Sequence, residues 1–241
     1  MRKIQKASEL LWLLGTVLVA LGVALCSKAD LGVSMVAAPA FVIYEAIAPL
    51  WSGFSVGMTD YTIQGLMLIV LCLVVGRFDW RYLLAFAAAV LYGYTLNFFL
   101  WVLGPVSPDS AALRWAMLLA GDCFTATGVA CFFRTYMPLQ VYELFVAELS
   151  ARFRLDINRT KWGFDIALLA ISVVLALTLF GDAASFDWSA IGYRSFHSIG
   201  LGTLVTTAIN SPLIAFMGRQ IDRRFDAAPR FPRLEKVLKR S

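Results

Sequence analysis

The chain has 241 residues, 60% hydrophobic and only 15% charged, with a formal net charge of +5 and a mean hydropathy of +0.74. A water-soluble domain of this length cannot clothe its surface with so few charges, so the composition excludes a soluble enzyme or binding module and places the chain in a lipid bilayer. No contact with nucleic acid is expected.

A helix crosses the hydrocarbon layer with about 20 apolar residues, and six stretches approach that length: about 10–27, 59–76, 82–103, 113–132, 162–180 and 190–217. The first follows Arg2, Lys3 and Lys6, as a signal peptide would. Its counterpart in the second half is internal, so it is expected to be retained. Two shorter apolar stretches, about 33–48 and 137–150, carry Pro39 and Pro138. Each is too short to span and reads as a re-entrant or interfacial half-helix. The tail from Arg219 is basic and carries Phe225, Phe231, Leu234, Val237 and Leu238, which suits either an amphipathic segment on anionic headgroups or a disordered extension. Cys26, Cys72, Cys123 and Cys131 fall in or at the ends of apolar stretches without CxxC spacing and read as packing residues.

Orientation follows from the basic residues. With six spans and a cytoplasmic N-terminus, the inside receives Arg2, Lys3, Lys6, Arg77, Arg81, Arg134, Arg152, Arg154, Arg159, Lys161 and the basic tail, while Lys28, Arg114 and Arg194 fall outside. A seventh span at 33–48 would put Arg77 and Arg81 outside, against that rule. The expected architecture is therefore an all-α polytopic membrane protein with both termini cytoplasmic. It has one membrane domain over 1–218, built from a repeat at about 10–104 and another at about 113–218, and a basic tail at 219–241. Three crossings per repeat invert the second copy relative to the first.

The repeat is visible residue by residue. Gly22-Val23-Ala24 matches Gly128-Val129-Ala130, which brings Lys28 onto Arg134. With a small change of register Asp60 falls on Asp165, Gly76 on Gly181, and Phe78-Asp79-Trp80 on Phe186-Asp187-Trp188. The run Gly22-Val23-Ala24-Leu25 followed by Lys28-Ala29-Asp30-Leu31-Gly32, with Phe54-Ser55-Val56-Gly57 opening the next span, resembles the YczE/YyaS/YitT family of bacterial membrane proteins. The resemblance covers most of residues 10–218; it departs from that pattern at Ser34-Met35-Val36 and, in the second copy, at Thr135-Tyr136-Met137-Pro138. It implies a fold, a bacterial inner-membrane location and a transporter-like role, and supplies no substrate.

Charged groups within membrane depth cost on the order of 2.5 to 3.5 kcal/mol on insertion scales, so each needs a partner, a wet cavity or an interface. Lys28 and Arg134 each sit just before a half-helix, where a cation adds to the positive end of the helix dipole and suits a carboxylate or phosphate. Alternatively both snorkel to the interface. Asp60 and Asp165 open the second span of each repeat, as ion or proton ligands or as acids favoured by the first turn of a helix. Glu143 and Glu148, five residues apart on the second half-helix, face different ways. If that helix dips into the membrane Glu143 reaches its interior; on the surface both are solvated. Glu45 in the first half-helix poses the same choice.

Asn97, Thr125, Thr127, Ser195, Ser198, Asn210 and Ser211 are by default inter-helix hydrogen-bonding groups. Gly93, Gly200 and Gly202 mark close packing or a helix break. His197, the single histidine, has no accompanying metal ligands, and neither an HExxH motif nor an ATP-binding loop is present. No cofactor or enzymatic activity is expected. The residues favour a small secondary transporter or facilitator that moves a small, plausibly anionic solute by alternating access, with Lys28, Asp60, Asn97, Arg134, Glu143 and Asp165 as candidate substrate-binding residues. The second reading is an accessory or receptor-like membrane protein that binds a partner or lipid. Expected partners are membrane lipids and a small molecule or ion, and a homo-oligomer is compatible with the sequence.

Overall fold

Short polar residues at the loop ends set where the helices begin. Ser55, Ser110 and Asp156 accept the backbone N–H groups of Met58, Leu113 and Arg159 at 3.3, 3.2 and 2.9 Å, satisfying donors that a helix start leaves free. Gly76 and Gly181, both left-handed, end two of these helices. A computed structural model of the chain describes residues 8–181, 196–225, 228–229, 231 and 238. Its helices are α1 (Ser8–Ala29), α2 (Ala38–Ile47), α3 (Val56–Val75), α4 (Arg81–Val102), α5 (Ala111–Phe132), α6 (Val141–Phe153), α7 (Ile157–Phe180) and α8 (Leu201–Arg224). All but α2 and α6 are long and apolar enough to cross a membrane, so the chain is a six-span, all-α membrane protein.

Two spans differ in extent from the sequence reading. The Asp156 cap starts α7 at Ile157, five residues before the apolar run, and so draws Lys161 into the helix. The last span begins at Leu201 instead of near 190: His197 and Ser198 hold positive φ values of 44° and 63° and form a turn closed by a Phe196–Ile199 bridge. It continues to Arg224, ending on Arg223 and Arg224, cations that suit a helix C-terminus. Phe186-Asp187-Trp188, Arg194 and Ser195, the N-terminal Arg2, Lys3 and Lys6, and most of the basic tail lie outside the described residues.

The order long, short, long, long occurs twice, and contacts are consistent with an inverted three-helix repeat. α1 packs against its equivalent α5; α1 against α4 and α5 against α8; and the short helix of each half crosses to the second span of the other, α2 on α7 and α6 on α3. Glycines show the same exchange at the α1–α5 crossing. A Cβ on Gly22 would come within 2.5 Å of the Gly121 carbonyl oxygen, and one on Gly128 within 2.6 Å of that of Gly15. The offset that carries Gly22 onto Gly128 also carries Gly15 onto Gly121. Each glycine therefore meets the equivalent of the other's position, the reciprocity that a two-fold axis imposes. With no side chain between them the backbones approach closely, the usual basis of packing where lipid removes the hydrophobic drive. Around this crossing Val19, Val23, Ala24, Phe41, Val56, Tyr92, Leu96 and Phe132 form the main apolar cluster.

The short helices enter the bundle. After α5 the chain climbs beside α1: Tyr136 bonds to Ser8 and Glu9 at the start of that helix, and the Pro138 carbonyl accepts from the Trp12 indole at 2.9 Å. The segment then reaches Gln64, near the middle of α3, whose Oε1 accepts the Val141 N–H at 3.1 Å. From there α6 turns back toward the face it came from, where Glu148 pairs with Arg77 at 3.5 Å, just beyond the end of α3. The other half repeats the path from the opposite face. Val33 donates to the Ser198 carbonyl at 2.9 Å, Met35 lies against Thr207, and α2 returns so that Glu45 bonds to His197 and Ser198.

The Lys28–Gly32 element is the hinge of that second path. Arg114 holds Asp30 at 3.0 Å, and Gly202 donates to the Leu31 carbonyl at 2.8 Å. Gly32, at φ 107°, lies where a Cβ would strike the Gly200 backbone nitrogen at 2.6 Å. Glycine is required there both by conformation and by space.

Candidate functional site

The starts of the two half-helices meet around a small, partly open cavity of about 40 Å³ whose largely apolar wall carries several polar groups. Ser34, Val36 and Ala37 line it from the approach to α2, Gln140, Tyr142 and Glu143 from the start of α6, Asp60, Tyr92 and Thr125 from spans of one side, and Lys161 and Asn210 from α7 and α8. Asn210 lies nine residues into α8, about 13 Å along its axis at 1.5 Å per residue, which is near the middle of a hydrocarbon layer about 30 Å thick. Ordered water needs about 10–15 Å³. The cavity therefore suits an ion or one or two waters in the conformation seen.

Four ionisable side chains gather here. Asp60, 2% exposed, accepts from Gln64 Nε2 at 2.7 Å and from the Tyr142 hydroxyl at 3.1 Å. Gln64 thus joins α3 to both the carboxylate and the first amide of α6. Lys161 donates to Asp165 at 3.2 Å across one helical turn. Glu143 lines the cavity with its Oε2 buried and without a hydrogen-bond partner among the described residues; the same is true of Asn210 Oδ1 and Gln140 Nε2. Unpartnered buried polar atoms are rare, because each forfeits its hydration without replacement. Three of those found among the described residues belong to side chains that line this one cavity. Asp122, 1% exposed on α5 one turn from Thr125, also has an unpartnered oxygen, Oδ2.

The residues singled out from sequence divide into three groups. Asp60 and Glu143 line the cavity, and Asp165 stands behind it holding Lys161. Asn97 is elsewhere: its Oδ1 accepts the Gly57 N–H at 2.9 Å and its Nδ2 donates to Ser55 at 2.9 Å, fastening α4 to the start of α3. Lys28 and Arg134 stand at opposite ends of the bundle, not together. Lys28 donates to the Gly104 carbonyl at 3.3 Å, and Arg134 grips both oxygens of Asp222 at 2.6 and 2.8 Å. Each ties the end of its own first span to the end of its own last span, so their equivalence by repeat is an equivalence of anchors. Of the uncharged inventory, Thr125 and Asn210 reach the cavity. Ser198 and His197 hold Glu45 at the mouth of α2, with the His197 ring stacked on Phe180.

Tyr142, Gln64, Gln140 and Lys161 are additions. Lys161 and Gln64 carried a signal, each four residues from an aspartate and so on its face of the helix. Tyr142 and Gln140 carried none, because only the fold-back of α6 brings them to α3.

Larger spaces flank the cavity. One of about 400 Å³, lined by Lys28, Asp30, Tyr44, Glu45 and Ser198, lies toward the Lys28 face. Another of about 300 Å³, lined by Arg134, Asn158, Lys161, Ser211 and Ile214, lies toward the Arg134 face. Lys161 and Ile214 line both this crevice and the cavity and form the wall between them.

The chain belongs to a family of unknown function, DUF6198, which matches it over residues 6–219. The match is to this family and not specifically to the YczE/YyaS/YitT group that the Lys28–Gly32 and Phe54–Gly57 elements resemble. No curated protein matches the chain, and no solved structure does.

Proposed function

We propose that this DUF6198 member is a small secondary transporter or facilitator of a bacterial cytoplasmic membrane, with both termini cytoplasmic, moving a small solute by alternating access to the cavity between α2 and α6. The observation that carries the reading is the convergence of two half-helices, entering from opposite faces, on a small cavity near mid-depth that collects several polar groups. Irregular backbone is tolerated at that depth where it is covered by protein or lines a cavity, and transporters built from inverted repeats place their substrates at such breaks.

The residues have distinct roles in this scheme. Asp60, held by Gln64 and Tyr142, fixes the start of α6 to α3 and keeps a carboxylate at the cavity. Glu143, Asn210 and Gln140 offer the free polar atoms that meet the solute. Lys161 and Ile214 close the cavity toward the crevice on the Arg134 face, which the positive-inside rule makes cytoplasmic. On the other face α2, latched by Glu45 to Ser198 and His197, separates the cavity from the outer space. Exchange of the two closures carries the solute across. The anionic solute considered from sequence has Lys161, in place of Lys28 and Arg134, as the cation within its reach.

A ligand screen of the purified protein by thermal shift tests the reading. A solute that binds the native state raises Tm by mass action; Glu143→Gln and Asn210→Ala are expected to lose the rise while Lys28→Gln keeps it. A rise that survives both cavity substitutions, or one produced by lipids alone, contradicts the proposal.

A further inference from the structure

The cavity holds more negative than positive groups. Two carboxylates, Asp60 and Glu143, line it with the single ammonium of Lys161, and a third, Asp165, holds that ammonium from behind. Two are already engaged: Asp60 by Gln64 and Tyr142, Asp165 by Lys161. That leaves Glu143 as the cavity-lining carboxylate with an oxygen free of partners among the described residues. A buried charge needs a counter-ion, and the Lys161 ammonium that lines the same cavity is held by Asp165, so an ionised Glu143 is complemented by a further group of single positive charge.

The other unpartnered atoms say what kind. Glu143 Oε2 and Asn210 Oδ1 are both oxygens, both buried, and both without a donor. Hard cations take oxygen ligands, and both of these oxygens belong to residues that line the cavity. Gln140 Nε2, the unpartnered donor at the cavity, suits a water carried by the ion. Ser34 and Thr125 add neutral oxygens to the lining.

We infer that the cavity binds a monovalent metal cation between Glu143 and Asn210, with the Lys161 ammonium as its built-in rival, and that this ion is the coupling or transported species of the transporter proposed above, on which reading that last part rests. Lys161 lines both the cavity and the crevice, so an arriving cation and the ammonium compete for one set of carboxylates at the wall itself.

The test is a thermal-shift titration of the full-length protein with sodium, potassium or N-methyl-D-glucamine chloride at fixed ionic strength and pH. Sodium or potassium, and not N-methyl-D-glucamine, is expected to raise Tm to a plateau. Glu143→Gln abolishes the rise, Asn210→Ala weakens apparent affinity at least tenfold, and Lys161→Gln tightens it about fivefold by removing the rival. Absence of a plateau with either metal in the wild type overturns the inference, whatever the variants do. So does a rise that follows the anion, or one produced by pH alone. A cavity that opens to both faces while showing no cation dependence removes the ion and leaves the transporter; a cation bound in a cavity that opens to one face only does the reverse.

Discussion

Where α3 meets α4, a Cβ on Gly93 would come within 2.9 Å of the Gly57 carbonyl oxygen and Asn97 bridges the two helices with a bond in each direction; the equivalent α7 and α8 barely meet, and a crevice of about 300 Å³ opens beside them. Equivalent spans thus differ in how firmly they are joined. The join in the first half fixes α3, the helix that carries Asp60 and Gln64 and receives α6. The loose pair in the second half carries Lys161 and Asn210. One half joins its spans tightly beside the cavity and the other loosely.

Four substitutions sharpen that contrast, in falling order of effect. Gly93→Leu forces a side chain into the α3–α4 contact and is expected to destabilise by about 3 kcal/mol, read as loss of the folded fraction in detergent. Asn97→Ala strands the Gly57 N–H and the Ser55 hydroxyl at a cost of about 1–2 kcal/mol, with a matching fall in Tm. Gly163→Ala on α7 has the opposite sign. Nothing lies within 4 Å of the new Cβ, so helix propensity alone acts, a gain of about 0.8 kcal/mol relative to glycine. A large loss at Gly163 would show that α7 is as tightly held as α3. Arg134→Gln removes an ion pair whose Asp222 partner is 57% exposed, and solvent screening holds the expected cost to about 0.5 kcal/mol; unchanged ligand binding in this variant separates an anchor from a substrate residue.

Much of the frame was legible in the chain because bilayer spans announce themselves by length and apolarity. All six spans, both short helices and the glycines of the α1–α5 crossing stand in the sequence in order. What was hidden lay in three places. The α7 start depends on Asp156, a cap outside the apolar run. The start of α8 depends on the left-handed pair His197–Ser198, a conformation that non-glycine residues adopt too seldom to be read from the sequence. The depth of α6 depends on long-range bonds, from the Val141 N–H to Gln64 and from the Tyr142 hydroxyl to Asp60. For the candidate site, Asp60, Glu143 and Asp165 were recognisable as acids inside apolar sequence, whereas Lys161 passed as one of a run of cytoplasmic cations beside Arg159. Lys28, Arg134 and Asn97 have the chemistry of ligands and here bond between helix ends, and Lys28 and Arg134 also line the two outer spaces.

The central claim is that both faces of the membrane reach the cavity in turn. Thr125→Cys, in a background with Cys26, Cys72, Cys123 and Cys131 replaced by Ala, puts one thiol on the cavity wall. Its reaction with a membrane-impermeant maleimide, measured separately in right-side-out and inside-out vesicles, is the direct test. The account predicts labelling from both sides, with each rate changed in opposite directions by a bound ligand. Labelling from one side only, at a rate no solute alters, would contradict it.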